Sequence, residues 1–175
     1  MFVSNDYVSI LLQQNAGNVV NPTSDPNSIS LGKSALDSNV TGNSNIAIGA
    51  NSLYSSIADS SNVAIGVNAL YSCSGGIGNV AIGTNALQNN TIGGDNNAVG
   101  YNALKFNQDG SYNTAIGYTA LYSNTRGSKN TAIGYTALYS NTTGTFNGGL
   151  GGGALYSNTT GSYNNAVGNG SLHPW

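Results

Sequence analysis

A glycine recurs every 17 residues along almost the whole chain, at Gly32, Gly49, Gly66, Gly83, Gly100, Gly117, Gly134, Gly151 and Gly168, with no insertion between any two. Self-similarity at a fixed period marks a solenoid or fibre and takes precedence over any local motif. The array covers residues 27–175 as nine units, and residues 1–26 do not obey it. Its two most alike units, NTAIGYTALYSNTRGSK and NTAIGYTALYSNTTG, stand next to one another from Asn113 to Gly144.

Aligned on this glycine, the units become columns with physical characters. The residue before it is always a branched aliphatic, as in Ile48, Ile65, Ile82, Ile116 and Ile133; the residue four after it is always Leu, as in Leu53, Leu70, Leu87, Leu121 and Leu138. These two columns are the expected core. Beside each runs a column of small residues, Ala47 to Ala166 before the aliphatic and Ala35 to Ser171 before the Leu, with Ser30 and Gly149 as exceptions in the first. A second glycine stands ten residues after the first in seven units, and Asp59 replaces it in another. Both glycine columns suit corners with φ > 0. Four residues before the first glycine stands Asn45, Asn62, Asn79, Asn96, Asn113, Asn130, Asn147 or Asn164, a column suited to a stacked amide ladder.

The composition agrees with extended chain and turns. Charged residues are 6% of the sequence and Glu is absent, so most strong helix formers are missing. Repeating a charge in one column would place like charges one strand spacing apart, which uncharged polar columns avoid. The expected fold is all-β: a parallel β-solenoid of nine coils, each with two short strands (x-A-I and A-L-Y) and two turns, stacked into a rod of about 40 Å. Two aliphatic side chains are a thin core for 17 ordered residues. The small-residue columns are therefore expected to face identical neighbours about a symmetry axis, giving a homotrimer with a shared core.

The N-x-A-I-G units, as in Asn45-Ile46-Ala47-Ile48-Gly49 and Asn62-Val63-Ala64-Ile65-Gly66, resemble the repeats in the heads of trimeric autotransporter adhesins. The full NTAIGYTALYSNTTGSY-like unit is similar to arrays in phage and other viral tail-fibre proteins. The resemblance implies a left-handed parallel β-roll in trimers. It also implies, for a short chain without export signal, stalk, membrane anchor or chaperone domain, a virion fibre or decoration protein on the exterior of a head or tail. A cellular surface adhesin head is the alternative.

Residues 1–26 read as an anchor or cap with a linker. Phe2, Val3, Tyr7, Val8, Ile10, Leu11 and Leu12 form an apolar, β-prone stretch, and Asn21-Pro22 and Asp25-Pro26 punctuate the linker between it and the first coil. The anchor reading adds strands to a capsid or tail partner; the cap reading covers the first coil. The apolar run at 8–12 is too short to span a bilayer.

No catalytic or metal constellation emerges, and no cofactor is expected. His173 is the only His, at the end of the chain; the acids fall in different columns; Gly148 to Gly153 resembles a phosphate loop but lacks its Lys. Cys73 stands where neighbouring units carry Asn or Ser and has no partner for an intrachain disulfide. A net charge of −2 gives no footprint for nucleic acid. An ice-binding face is disfavoured because Thr114 and Thr131 share their column with Asn97, Gly148 and Asn165. Tyrosine remains: Tyr54, Tyr71, Tyr122, Tyr139 and Tyr156 form one column, Tyr101, Tyr118 and Tyr135 another. Such ladders either bind host glycan or stack to stiffen the rod and its interfaces.

Overall fold

The computed structural model describes residues 27–172, so the anchor candidates from Phe2 to Leu12, and His173, lie outside the described residues. Within them the chain is an all-β solenoid. Nine three-residue strands, β1 (Ile29–Leu31), β2 (Ile46–Ile48), β3 (Val63–Ile65), β4 (Val80–Ile82), β5 (Asn97–Val99), β6 (Thr114–Ile116), β7 (Thr131–Ile133), β8 (Gly148–Leu150) and β9 (Asn165–Val167), form one parallel sheet in sequence order. Register keeps the 17-residue period without slip: Ala64 pairs with Ala81, Ala115 with Ala132.

Only one strand forms per coil. The A-L-Y segment, expected as a second strand, is a run of tight turns, because the Leu itself takes a left-handed backbone, with φ of 52° at Leu70 and 51° at Leu104. A second left-handed residue lies two before each Leu, as at Asn68, Asn85, Asn102, Thr119 and Thr136. Coil-to-coil backbone bonds persist through these turns, for example Leu53 N–H to Ala69 O and Leu70 N–H to Ala86 O, each 3.0 Å. The left-handed backbone explains why this column holds only Leu. A side chain branched at Cβ is a genuine outlier at positive φ, whereas Leu branches one atom later and still fills the interior.

The core is the Leu column packed on both alanine columns. Leu53, Leu70, Leu87, Leu121 and Leu138 are fully buried, as expected, and so are Ala47, Ala64, Ala81, Ala115 and Ala132. The aliphatic column is not core. Ile48 and Ile65 are half-buried, and Ile82, Ile116 and Ile133 are exposed, Ile116 by 41%. The reason is the period of a strand: with Ala at the centre of three residues, Ala or its two neighbours face inward, never both. Space decides for Ala. At Gly149, which stands in the alanine column, an added Cβ would already lie 3.4 Å from Leu138 Cγ and 3.1 Å from the Ala154 carbonyl oxygen. An isoleucine cannot enter so thin a coil. The small-residue columns thus face the interior of one chain, not a neighbouring copy, and Ser30 is accommodated there by a 2.8 Å hydrogen bond from its hydroxyl to Ala35 O.

The two glycine columns differ in cause. The first has φ between 120° and 141°, a region closed to L side chains. The second, from Gly42 to Gly161, is not in a positive-φ conformation. It is small because the next coil and the asparagine amides crowd it: a Cβ on Gly93 would lie 2.9 Å from Asn107 Nδ2.

Asparagine holds the corners together. From Asn62 to Asn147, each Asn of the expected column accepts from the backbone N–H of its successor, as Asn96 Oδ1 does from Asn113 N at 2.9 Å, and donates to the carbonyl of the second glycine, as Asn113 Nδ2 does to Gly127 O at 2.8 Å. A second ladder, not read from the sequence, links Asn90, Asn107, Asn124, Asn141 and Asn158 through Nδ2 to Oδ1 bonds of 2.7 to 2.9 Å. A third joins Asn51, Asn68, Asn85 and Asn102. Amides bonded both to the adjacent coil and to the glycine corner of their own coil, as Asn107 Nδ2 is to Asn90 Oδ1 and to Gly110 O, fix the register that short strands alone leave weakly specified.

Candidate functional site

Once the strand and Leu faces are assigned, the outer surface separates into two features: a strand face with apolar columns, and tyrosine ladders beyond the glycine corner. On the strand face the first and third residues both point outward. The first column is apolar in β1 to β4 (Ile29, Ile46, Val63, Val80) and polar or glycine from β5 on; the third stays aliphatic throughout. Further exposed aliphatics at the opposite turn, Val40, Ile57, Ile77 and Ile92, also lie in the first coils. The apolar exterior is therefore concentrated toward the N-terminal half.

Tyrosine dominates the other half. Tyr101, Tyr118 and Tyr135 stack with ring centroids 5.3 and 5.4 Å apart, and Tyr122, Tyr139 and Tyr156 stack at 5.1 Å with planes within 3° of parallel. Tyr54 and Tyr71 form a separate stacked pair at 5.1 Å, cut off from the later rings by Gln88 and Lys105 in the same column. The spacing comes from the coil rise, which sets side chains of one column about one strand spacing apart.

The two longer ladders run side by side only where the doubled sequence Tyr118-Thr119-Ala120-Leu121-Tyr122 and Tyr135-Thr136-Ala137-Leu138-Tyr139 places a tyrosine at each end of the turn. Ala and Leu point inward there, so a groove of about 330 Å³ opens between walls of tyrosine. Asn102, Thr119 and Thr136 complete its lining. Thr119 holds a left-handed φ of 51°, unusual for a β-branched residue, and its buried hydroxyl forms no hydrogen bond. Burial raises the Tyr139 phenol above its ordinary range, with the phenols of Tyr122, Tyr156 and Tyr118 adding to the effect.

This arrangement offers neutral chemistry. Because the rings face one another, they present edges and hydroxyls outward, and an intermediate ring has no open face for a ligand. No lining residue carries a formal charge. Among the described residues no three His, Cys, Asp or Glu side chains gather into a metal-binding group. The Cys73 thiol is buried and pushed up to about 12, by burial first and by Asp59 second, which keeps it protonated and unreactive. Arg126 and Asp109, one coil apart in the same column, form an exposed ion pair at 3.5 Å. No protein family, curated protein or solved structure matches the chain.

Proposed function

We propose that the chain is the shaft of a homotrimeric fibre or spike, its three copies packing their outward aliphatic columns around a common axis. The outward-facing Leu/Ile/Val column of the strand face, half-buried in the first coils and exposed at Ile82, Ile116, Ile133, Leu150 and Val167, carries this reading. An apolar stripe running the full length of a rod, with no segment of its own described chain covering it, suits burial against copies of itself. Symmetric packing also completes a core that one Leu and two Ala per coil leave thin. The resemblance of the 17-residue unit to tail-fibre arrays supports a virion fibre or decoration protein attached through residues 1–26, with a bacterial surface adhesin head as the second reading. The polarity of the rod, aliphatic toward the N-terminal half and tyrosine-rich toward the other, suits attachment at one end and presentation at the other.

Light scattering of the full chain at micromolar concentration is expected to give three times the monomer mass. A Ile116→Ser/Ile133→Ser pair is expected to lower that mass while leaving the β-sheet circular dichroism in place, since neither side chain contributes to the coil interior. A monomeric wild type would sink the trimer. Immunogold labelling of particles then separates the two readings: label on virions supports the first, label confined to cell envelopes the second.

In the same reading the tyrosine groove contacts a neutral host glycan, whose hydroxyls suit the phenol rims. Tyr122→Ala/Tyr139→Ala is expected to reduce glycan-array binding by at least about tenfold, the scale of one or two lost hydrogen bonds to the phenol hydroxyls, with the oligomer intact. Undiminished binding by that variant, or none by the wild type, would assign the ladders to stiffening the rod alone.

A further inference from the structure

The second asparagine ladder is broken near its start, and the break is built from three coordinated substitutions. In the regular coils a Cβ at the second glycine would occupy the space of two amides: that of the Asn three residues earlier and that of the Asn fourteen residues later, as Gly93 shows with Asn90 Oδ1 at 2.5 Å and Asn107 Nδ2 at 2.9 Å. Asp59 stands at this glycine position, and the two residues that would collide with it are Ser56 and Cys73, both shorter than Asn. The loss of both amides opens room for the carboxyl, leaving the backbone carbonyl oxygen of the next coil, as Gly110 O stands to Gly93, as the remaining close neighbour of its Cβ. Cys73, unexplained as an isolated exception in its column, becomes the partner of Asp59.

The exchange leaves a shortage of donors. Asp59 is 1% exposed, and neither carboxyl oxygen has a hydrogen-bond partner; the Ser56 hydroxyl and Asn39 Oδ1, which in a regular coil would accept from an amide at position 56, are also unpartnered. Loss of hydration raises the carboxyl above its ordinary range and outweighs Ser56, Cys73 and the Gly76 backbone N–H, which lie close enough to favour the anion somewhat. Among the described residues the titratable group that faces Asp59 is Cys73, which stays neutral. Asp37, Asp95 and Asp109 are exposed at the surface.

We propose that Asp59 folds as the neutral acid, its own O–H standing in for the amide donors that Ser56 and Cys73 do not supply, so that the junction between the β2 and β3 coils is a proton-dependent seam in an otherwise pH-indifferent rod. A group whose folded pKa lies above its unfolded value contributes stability that is complete below the unfolded value, near pH 4 for Asp, and lost as pH rises through the folded value. The seam is closed in acid and loosens toward neutral and alkaline pH. Elsewhere the ladders are made of amides, which do not titrate.

Native-state hydrogen exchange on the full chain tests this, because equivalent amides exist in both places. The Leu53 and Ser55 amides bond across the seam to Ala69 and Tyr71; the Leu121 and Ser123 amides make the same bonds to Ala137 and Tyr139 in regular coils. After correction for intrinsic exchange, protection at Leu53 and Ser55 is expected to fall severalfold or more from about pH 4 to about pH 8, with little change at Leu121 and Ser123. Asp59→Asn, with an amide that donates at every pH, is expected to abolish the difference. The triple variant Ser56→Asn/Asp59→Gly/Cys73→Asn, which restores the regular coil, does the same and covers the case in which Asp59→Asn folds poorly. Equal pH response at both places in the wild type, or a response that survives both variants, overturns the proposal. So does protection at high pH restored by sodium or potassium chloride but not by a bulky organic cation at the same ionic strength, which would make the occupant a metal cation.

Discussion

Gly83→Ala is expected to be among the most damaging substitutions in the rod, costing on the order of 3 to 5 kcal/mol in urea denaturation or preventing folding. Two effects combine. Gly83 sits at φ 130°, where an L side chain is strained by about 1 to 3 kcal/mol. Its new Cβ would also lie 2.8 Å from the Gly100 carbonyl carbon, against backbone that cannot move without breaking the coil-to-coil register, and overpacking of this kind costs about 1 to 3 kcal/mol more. Gly168 separates the two effects. It has the same kind of backbone, with φ 120°, but nothing lies within 4 Å of its Cβ because no further coil stacks on it among the described residues. Gly168→Ala is expected to show only the backbone part. Equal losses at the two sites would mean that the contact with the next coil contributes nothing.

The second large effect concerns an isomer. Leu104→Ile preserves volume and hydrophobicity, and an ordinary core tolerates such a change at under about 1.5 kcal/mol. Here a loss of about 2 to 4 kcal/mol is expected, because Leu104 is fully buried with φ 51°, and a branch at Cβ adds to the left-handed cost of about 1 to 2 kcal/mol per residue. Leu104→Met, unbranched at Cβ, is expected to stay within about 1.5 kcal/mol. Thermal or urea unfolding of the pair reads the difference directly. If Ile is tolerated as well as Met, the invariance of Leu across the coils does not come from its backbone.

These variants show how a column's character can be read correctly and its cause misread. The glycine before each turn, the buried leucine and the asparagine at each corner are where the repeat places them. The second glycine is small for lack of room rather than for its φ, and the isoleucines point away from the core that their hydrophobicity suggested. In a three-residue strand, hydrophobicity alone cannot say which face is inside; the thin interior beneath Ala115, already filled by leucine, decides it. The tyrosine groove was visible as two columns but not as a groove, since that depends on Ala120 and Leu121 both turning inward between Tyr118 and Tyr122. Cys73 and Asp59 stood as two separate exceptions, 14 residues apart, until the stacking of adjacent coils placed one against the other.

The sequence by itself determined the period, the parallel stacking and the ladder residues, because a fixed 17-residue repeat lets every coil satisfy its backbone only against its neighbours. What only the tertiary structure decided is the direction each column faces. Direction depends on the left-handed turns around Leu and on the width of the coil, and neither is carried by the apolar or polar character of a residue taken alone.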